Sequence, residues 1–89
     1  MAEIHKKIWP GYFEEVLSGK KKFELRLNDF DIQEGDSLVL EEWDPEKKEY
    51  TGRKVEKKVT SILKFKPDEL PFYSPEEVQK HGLQILSLE

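Results

Sequence analysis

Apolar and polar positions alternate along the chain with a period that changes several times. Residues 3–8 (EIHKKI) alternate strictly, with Ile4, Lys6 and Ile8 on one side and His5 and Lys7 on the other. That period of two predicts a short first strand. The period then lengthens. Trp9, Phe13, Val16 and Leu17 fall at helical spacing, so residues 10–18 are expected to form a helix with one apolar stripe. Pro10 suits its first turn, where a missing N–H costs nothing, and Gly19 suits the position just past its end. Period two returns at residues 22–28. Phe23, Leu25 and Leu27 alternate with Lys22, Glu24 and Arg26, which predicts a half-buried strand with a wet, charged face.

Residues 29–36 (DFDIQEGD) read as a turn-rich connection, tightest at Gly35-Asp36. A strand is expected over 37–43, a polar hairpin loop over 44–49 (DPEKKE), and a long strand over 50–65. In that long strand Val55, Val59 and Leu63 would share a face with Lys57 and Ser61, and Gly52 marks the place for a bulge or bend. Pro67 and Pro71 break the pattern. Ser74-Pro75-Glu76-Glu77 is a helix start with Ser74 as its cap, the helix ends near Gly82, and residues 83–88 make a closing strand. The fold class is therefore α+β, mainly β. Many short strands in a small chain favour a barrel, because closure removes exposed edges. With 89 residues the chain is one domain, residues 1–89.

Composition narrows the chemistry. Aromatics make up 11% of the chain and include two Trp, which argues against wholesale disorder although charged residues reach 38%. The absence of Cys excludes a disulfide framework, Cys-ligated zinc and a thiol nucleophile. His5 and His81 are too few for a histidine-rich metal site, so neither metal nor cofactor is expected. No apolar run approaches the length of a membrane span, and the N-terminus lacks an apolar signal region. The expectation is a cytoplasmic protein with no membrane partner, monomeric by default. The net charge of −4 conceals four blocks: +2 over residues 1–28, −7 over 29–50, +5 over 51–66 and −4 over 67–89. An acidic total disfavours nonspecific duplex binding, which relies on neutralising many phosphates. Segregated charge still permits a local basic cleft.

One segment is more specific. Residues 19–26, GKKKFELR, fit G-x-K-x-x-E-x-R at Gly19, Lys21, Glu24 and Arg26, after an amphipathic helix and running into a strand. Here the chain resembles the ASCH domain, a branch of the PUA-like β-barrels. The resemblance continues through WPGYFEEVLSGKKKFELRLND, EGDSLVLEEWDPE and YTGR, covering residues 5 to about 63, and looks like a small bacterial and phage branch of unassigned function. It implies a barrel of five to six strands, with one helix after the first strand and a short helix near the C-terminus. It also implies a cleft between the first helix and the barrel wall, lined by the motif residues and suited to RNA or a nucleotide-like ligand. The chain departs from these relatives at Phe30, where they usually carry a base.

The residue chemistry stands beside that resemblance. Glu24 and Arg26 are two apart on a strand, so they share a face roughly 7 Å apart. Arg26 offers a planar fork for phosphate or a base edge. Glu24 can accept from an exocyclic amine. Lys21 is a movable point charge, with Lys20 beside it and Asn28 at the strand's end, either capping a turn or holding Arg26. The alternative is that these charges form a solvated strand face, or an internal ion pair that fixes the cleft wall. Trp9, Tyr12, Trp43, Tyr50 and Tyr73 are candidates to stack on bases. Trp9 also belongs to the apolar stripe and so to the core, and Trp43 suits a hairpin contact. Arg53 opens the basic block and, with Lys54, Lys57 and Lys58, would either extend a basic cleft or form a solvated face. His5 reads as structural.

The expected function is a noncatalytic module that binds RNA, single-stranded nucleic acid or a nucleotide. One alternative is a small hydrolase acting on a modified nucleoside. A branch of small ASCH proteins removes the acetyl group from N4-acetylcytidine, with the motif Lys, a Thr two residues before the motif Arg, and a downstream Glu. This chain has Glu24 where that Thr stands, and Lys22 and Phe23 supply no hydroxyl. The other alternative is a protein-interaction accessory domain presenting the acidic 29–50 block.

Overall fold

The computed structural model describes residues 1–65 and 75–89. Its elements are β1 (Glu3–Ile8), α1 (Pro10–Leu17), β2 (Phe23–Leu27), β3 (Ser37–Asp44), β4 (Glu49–Phe65), α2 (Pro75–His81) and β5 (Leu83–Leu88). This is the order the periodicity predicts. The expected cap at Ser74, the breaks at Pro67 and Pro71, and Tyr73 lie outside the described residues.

The five strands form one sheet in the order β1-β3-β4-β5-β2. β1 runs parallel to β3, and the other neighbours are antiparallel. The 17-residue β4 serves both halves: its first part pairs with β3 and its last part with β5. Two irregularities bend it. Thr51, Gly52 and Arg53 stand opposite the single residue Glu42, with Gly52 at φ +94°, the expected site of a bulge. A second register shift falls between Val59 and Ser61. It reverses the alternation. Val59 is fully buried, Ile62 then packs against the core, and Leu63 is 60% exposed. The expected face of Val55, Val59 and Leu63 therefore ends at Val59, because the extra residue at Thr60 turns Leu63 outward.

The core gathers Ile8, Phe13, Val16, Ile32, Leu38, Leu40, Val59, Leu86 and Leu88. α1 contributes only Phe13 and Val16. Trp9 and Leu17, expected on the same stripe, are 57% and 48% exposed. The eight-residue helix packs against β3, and a narrow strip of it is covered. The connection before β3 is held by Asp36. One of its carboxylate oxygens accepts from the Ala2 N–H and the other from the Gln33 N–H, both at 2.9 Å. These two backbone donors hold the carboxyl below its ordinary range. Gly35 precedes it at φ +92°, where its lack of a Cβ is needed.

The sheet differs from a sealed barrel at one seam. β1 and β2 are the two ends of the strand order, and no ladder joins them. The sheet nevertheless curls enough for a single side chain to cross: Arg26 Nη2 donates to the Lys7 carbonyl at 2.7 Å. The face of β2 is also reversed from the sequence expectation. Glu24 is paired in register with the buried Leu86, and Arg26 with the buried Gln84, so the charged face turns inward. Glu24 is 3% exposed and Phe23 is 50% exposed.

Candidate functional site

The open seam is where the motif residues converge. α1 ends at Ser18, and Gly19, at φ +84°, turns the chain back. The Lys21 N–H donates to the Glu15 carbonyl at 3.0 Å, which fixes Lys21 against the end of the helix. Its ammonium then reaches Glu24 Oε1 at 2.8 Å. Arg26 Nε donates to Glu24 Oε2, also at 2.8 Å. Each oxygen of the buried carboxylate thus meets one cation, and the bridge to Lys7 ties the cluster to β1. A carboxylate this deeply buried is tolerated because two charge-assisted bonds offset its lost hydration. The three side chains together carry one net positive charge. Two of the five Arg26 N–H donors are used inside the protein, which leaves the rest of the fork for a ligand.

Beside this cluster lies a cleft of about 880 Å³. Trp9 and Tyr12, from the start of α1, form one wall, and Phe23 of β2 lies on the other. All three rings are at least half exposed. The Lys21 ammonium sits 5.0 Å from the centre of the Tyr12 ring and 5.6 Å from that of Phe23. Lys20 and Glu15 complete the rim.

Of the residues singled out from sequence, Lys20, Lys21, Glu24, Arg26 and Trp9 meet in this cleft. Asn28 does not line it. Its N–H donates to the Gly82 carbonyl at 2.9 Å, a role at the end of the strand. Arg53 belongs to another cluster. Its guanidinium donates to both oxygens of the buried Glu42, at 3.0 and 2.8 Å, pairs with Glu14 of α1, and lies 4.8 Å from the centre of the Phe13 ring. The Thr51 hydroxyl donates to Glu42 as well, at 2.6 Å. The hydrogen bonds that Arg53 donates to Glu42, then to Glu14, hold its charge even more firmly than usual, and those from Arg53 and Thr51 hold Glu42 below its ordinary range. Arg53 therefore clamps α1 to the β3–β4 hairpin and does not line the cleft at the seam. Lys57 instead borders a smaller hollow with Lys22. His5 is half exposed and faces Glu3 and Glu41. Trp43 makes the expected hairpin contact, edge-on to Tyr50 with ring centres 5.0 Å apart and capped by the Lys7 ammonium at 3.8 Å.

Sequence reasoning missed Phe23, Lys7 and Glu15 as cleft residues. Alternation assigned Phe23 to the core, and nothing in the pattern marks a backbone carbonyl such as that of Lys7. Among the described residues no group of three or more His, Asp or Glu side chains is placed to hold a metal ion. No helix among them is long and apolar enough to cross a membrane.

A family model described as "Domain of unknown function (DUF3850)" matches residues 4–71. The chain belongs to the DUF3850 family. That DUF3850 segment contains every cleft-lining residue, from Lys7 to Arg26. An uncharacterized 12.9 kDa protein in the GpA 3′ region of Escherichia phage P2 is 44% identical over 63 residues. The match takes in 70% of this chain and 56% of the phage protein, so the chain spans little more than half of that relative's length. The crystal structure of hypothetical protein PH0355 superimposes with a TM-score of 0.73 at 22% identity, over 100% of this chain and 98% of the other. PH0355 thus shares the fold.

Proposed function

We propose that this DUF3850 chain is an ASCH-type, PUA-like module that binds a nucleotide or single-stranded RNA in the cleft at the open seam. One observation carries the reading. Three half-exposed rings, Trp9, Tyr12 and Phe23, surround a cleft of about 880 Å³ that ends on the inward-turned Lys21–Glu24–Arg26 cluster. A cleft of that size holds a small ligand. A base stacks on the rings, a gain of about 1–3 kcal/mol per base. The unused part of the Arg26 fork, with Lys20 beside it, takes a base edge or a terminal phosphate. Duplexes are disfavoured twice over: their bases are already stacked, and the chain carries a net charge of −4.

Binding is favoured over hydrolysis by the state of Glu24. Each of its oxygens already accepts from a cation, which suits it to positioning those cations. Its role is to orient Arg26 and Lys21.

Tryptophan fluorescence tests the reading. In a Trp43→Phe variant Trp9 is the remaining tryptophan. Titration with single-stranded oligoadenylate is expected to change its emission saturably, and Arg26→Ala is expected to weaken the midpoint at least about tenfold. A flat or non-saturating response up to about 1 mM would sink the proposal.

A further inference from the structure

The cleft does not stand alone. Across the α1–β2 turn lies a hollow of about 200 Å³, bordered by Gly19, Lys21, Lys22, Lys57, Leu88 and Glu89. Lys21 borders both spaces. The hollow is basic: three lysines face one carboxylate side chain, that of Glu89. Lys21 is committed to Glu24. Among the described residues, Lys22 and Lys57 have no acidic partner. Lys57 is half-buried on the face of β4 that also carries Val55 and Val59, in register with Leu38 of β3, which restrains its stem. An unneutralised, partly fixed ammonium beside a second one is a point-charge pair suited to a phosphodiester. Nothing in the hollow offers a ring on which a base stacks.

Aromatic walls in one space and unpaired lysines in the adjoining one divide a strand of nucleic acid between them. We infer that the ligand is an oligonucleotide of at least two nucleotides, with one base in the cleft and the adjoining phosphodiester in the hollow over the α1–β2 turn, held by Lys22 and Lys57. This rests on the nucleotide-binding reading of the cleft and sharpens it: a free nucleoside fills only half of the site. Gly19, on the turn between the two spaces, borders the hollow, and a Cβ built there would meet no protein atom.

The test compares adenosine, the dinucleotide ApA and an ApA analogue whose linkage is a neutral methylphosphonate, by amide NMR titration of the full chain. ApA is expected to bind about tenfold tighter than adenosine. That advantage is expected to vanish with the neutral linkage and in a Lys22→Gln/Lys57→Gln double variant, while adenosine binds the variant as it binds the parent. In that variant the salt dependence of ApA binding should be shallower than in the parent, because its phosphate is no longer neutralised. Retention of the advantage in Lys57→Arg would identify charge as its source. If ApA binds no tighter than adenosine, or its advantage survives the double variant, the hollow is not a phosphate subsite and the cleft reading stands. If no probe shifts the cleft amides, the nucleotide reading falls and this inference with it.

Discussion

Glu24 is the residue on which the site depends, because it joins both cations and sits 3% exposed. Replacing it by Gln leaves Lys21 and Arg26 facing each other in a partly buried place without their counter-charge. Glu24→Gln is expected to lower unfolding stability by about 1–3 kcal/mol, read from the urea midpoint. Lys20→Gln, on the exposed rim, should change it by less than about 0.5 kcal/mol. Equal effects from the two would contradict a buried cluster. Acid sensitivity has a different origin. Glu42 and Asp36 are held below their ordinary values of 4.5 and 3.8 by their hydrogen bonds in the folded state. A lowered folded value means that the unfolded chain takes up protons first. The stability they contribute is complete above those ordinary values and is lost as pH falls below them. Urea midpoints measured downward from pH 7 should stay level and then drop through the acid range. Asp36→Asn should flatten part of that drop, and an unchanged acid limb would exclude Asp36 as a source. The motif made Glu24 and Arg26 visible in the sequence, but not their burial. Alternation says which residues share a face, and charge alone assigned that face to water.

At the level of elements, α1 is held by a few interactions. Phe13 and Val16 enter the core, and Arg53 lies over the Phe13 ring while binding Glu14 and Glu42. Phe13→Ala should cost about 3–5 kcal/mol, because it opens a cavity under the helix. Leu63→Ala should cost less than about 0.5 kcal/mol, since the shift between Val59 and Ser61 turns Leu63 to solvent. Chemical denaturation of both variants checks the pair, and a large loss at Leu63 would place the bulge wrongly. Element order, the hairpin, the helix end at Gly19 and the bulge at Gly52 were all readable, because turn chemistry is local. The reversal at Thr60 was not, because an extra residue is recognised only when the partner strand β5 shows the interrupted pairing. The ion pairs of Arg53 were hidden for a related reason. Its partner Glu42 arrives through the β3–β4 pairing, and Glu14 through the packing of α1 on β3.

For the whole molecule, the decisive feature is a curled sheet whose two end strands are bridged by one arginine rather than by a ladder. Leaving β1 and β2 unpaired creates two edges, an arrangement that folded proteins usually avoid. Here α1, the aromatic walls and the charged cluster occupy the gap. The mainly-β class was legible from the number of short apolar runs, whereas the seam was not, since it depends on how far the sheet curls. Part of the acidic block 29–50 lies on β3 and residues 51–65 of the basic block lie on β4, and Arg53–Glu42 is one place where the two neutralise each other. Binding at the seam should weaken as salt rises. The most direct test is a map of backbone amide shifts during titration with single-stranded oligoadenylate, repeated on Arg26→Ala. Saturable shifts centred on residues 7–12 and 20–26, abolished in the variant, are the predicted result. Shifts confined to the β3–β4 hairpin, or a map unchanged by Arg26→Ala, would contradict a ligand cleft at the open seam.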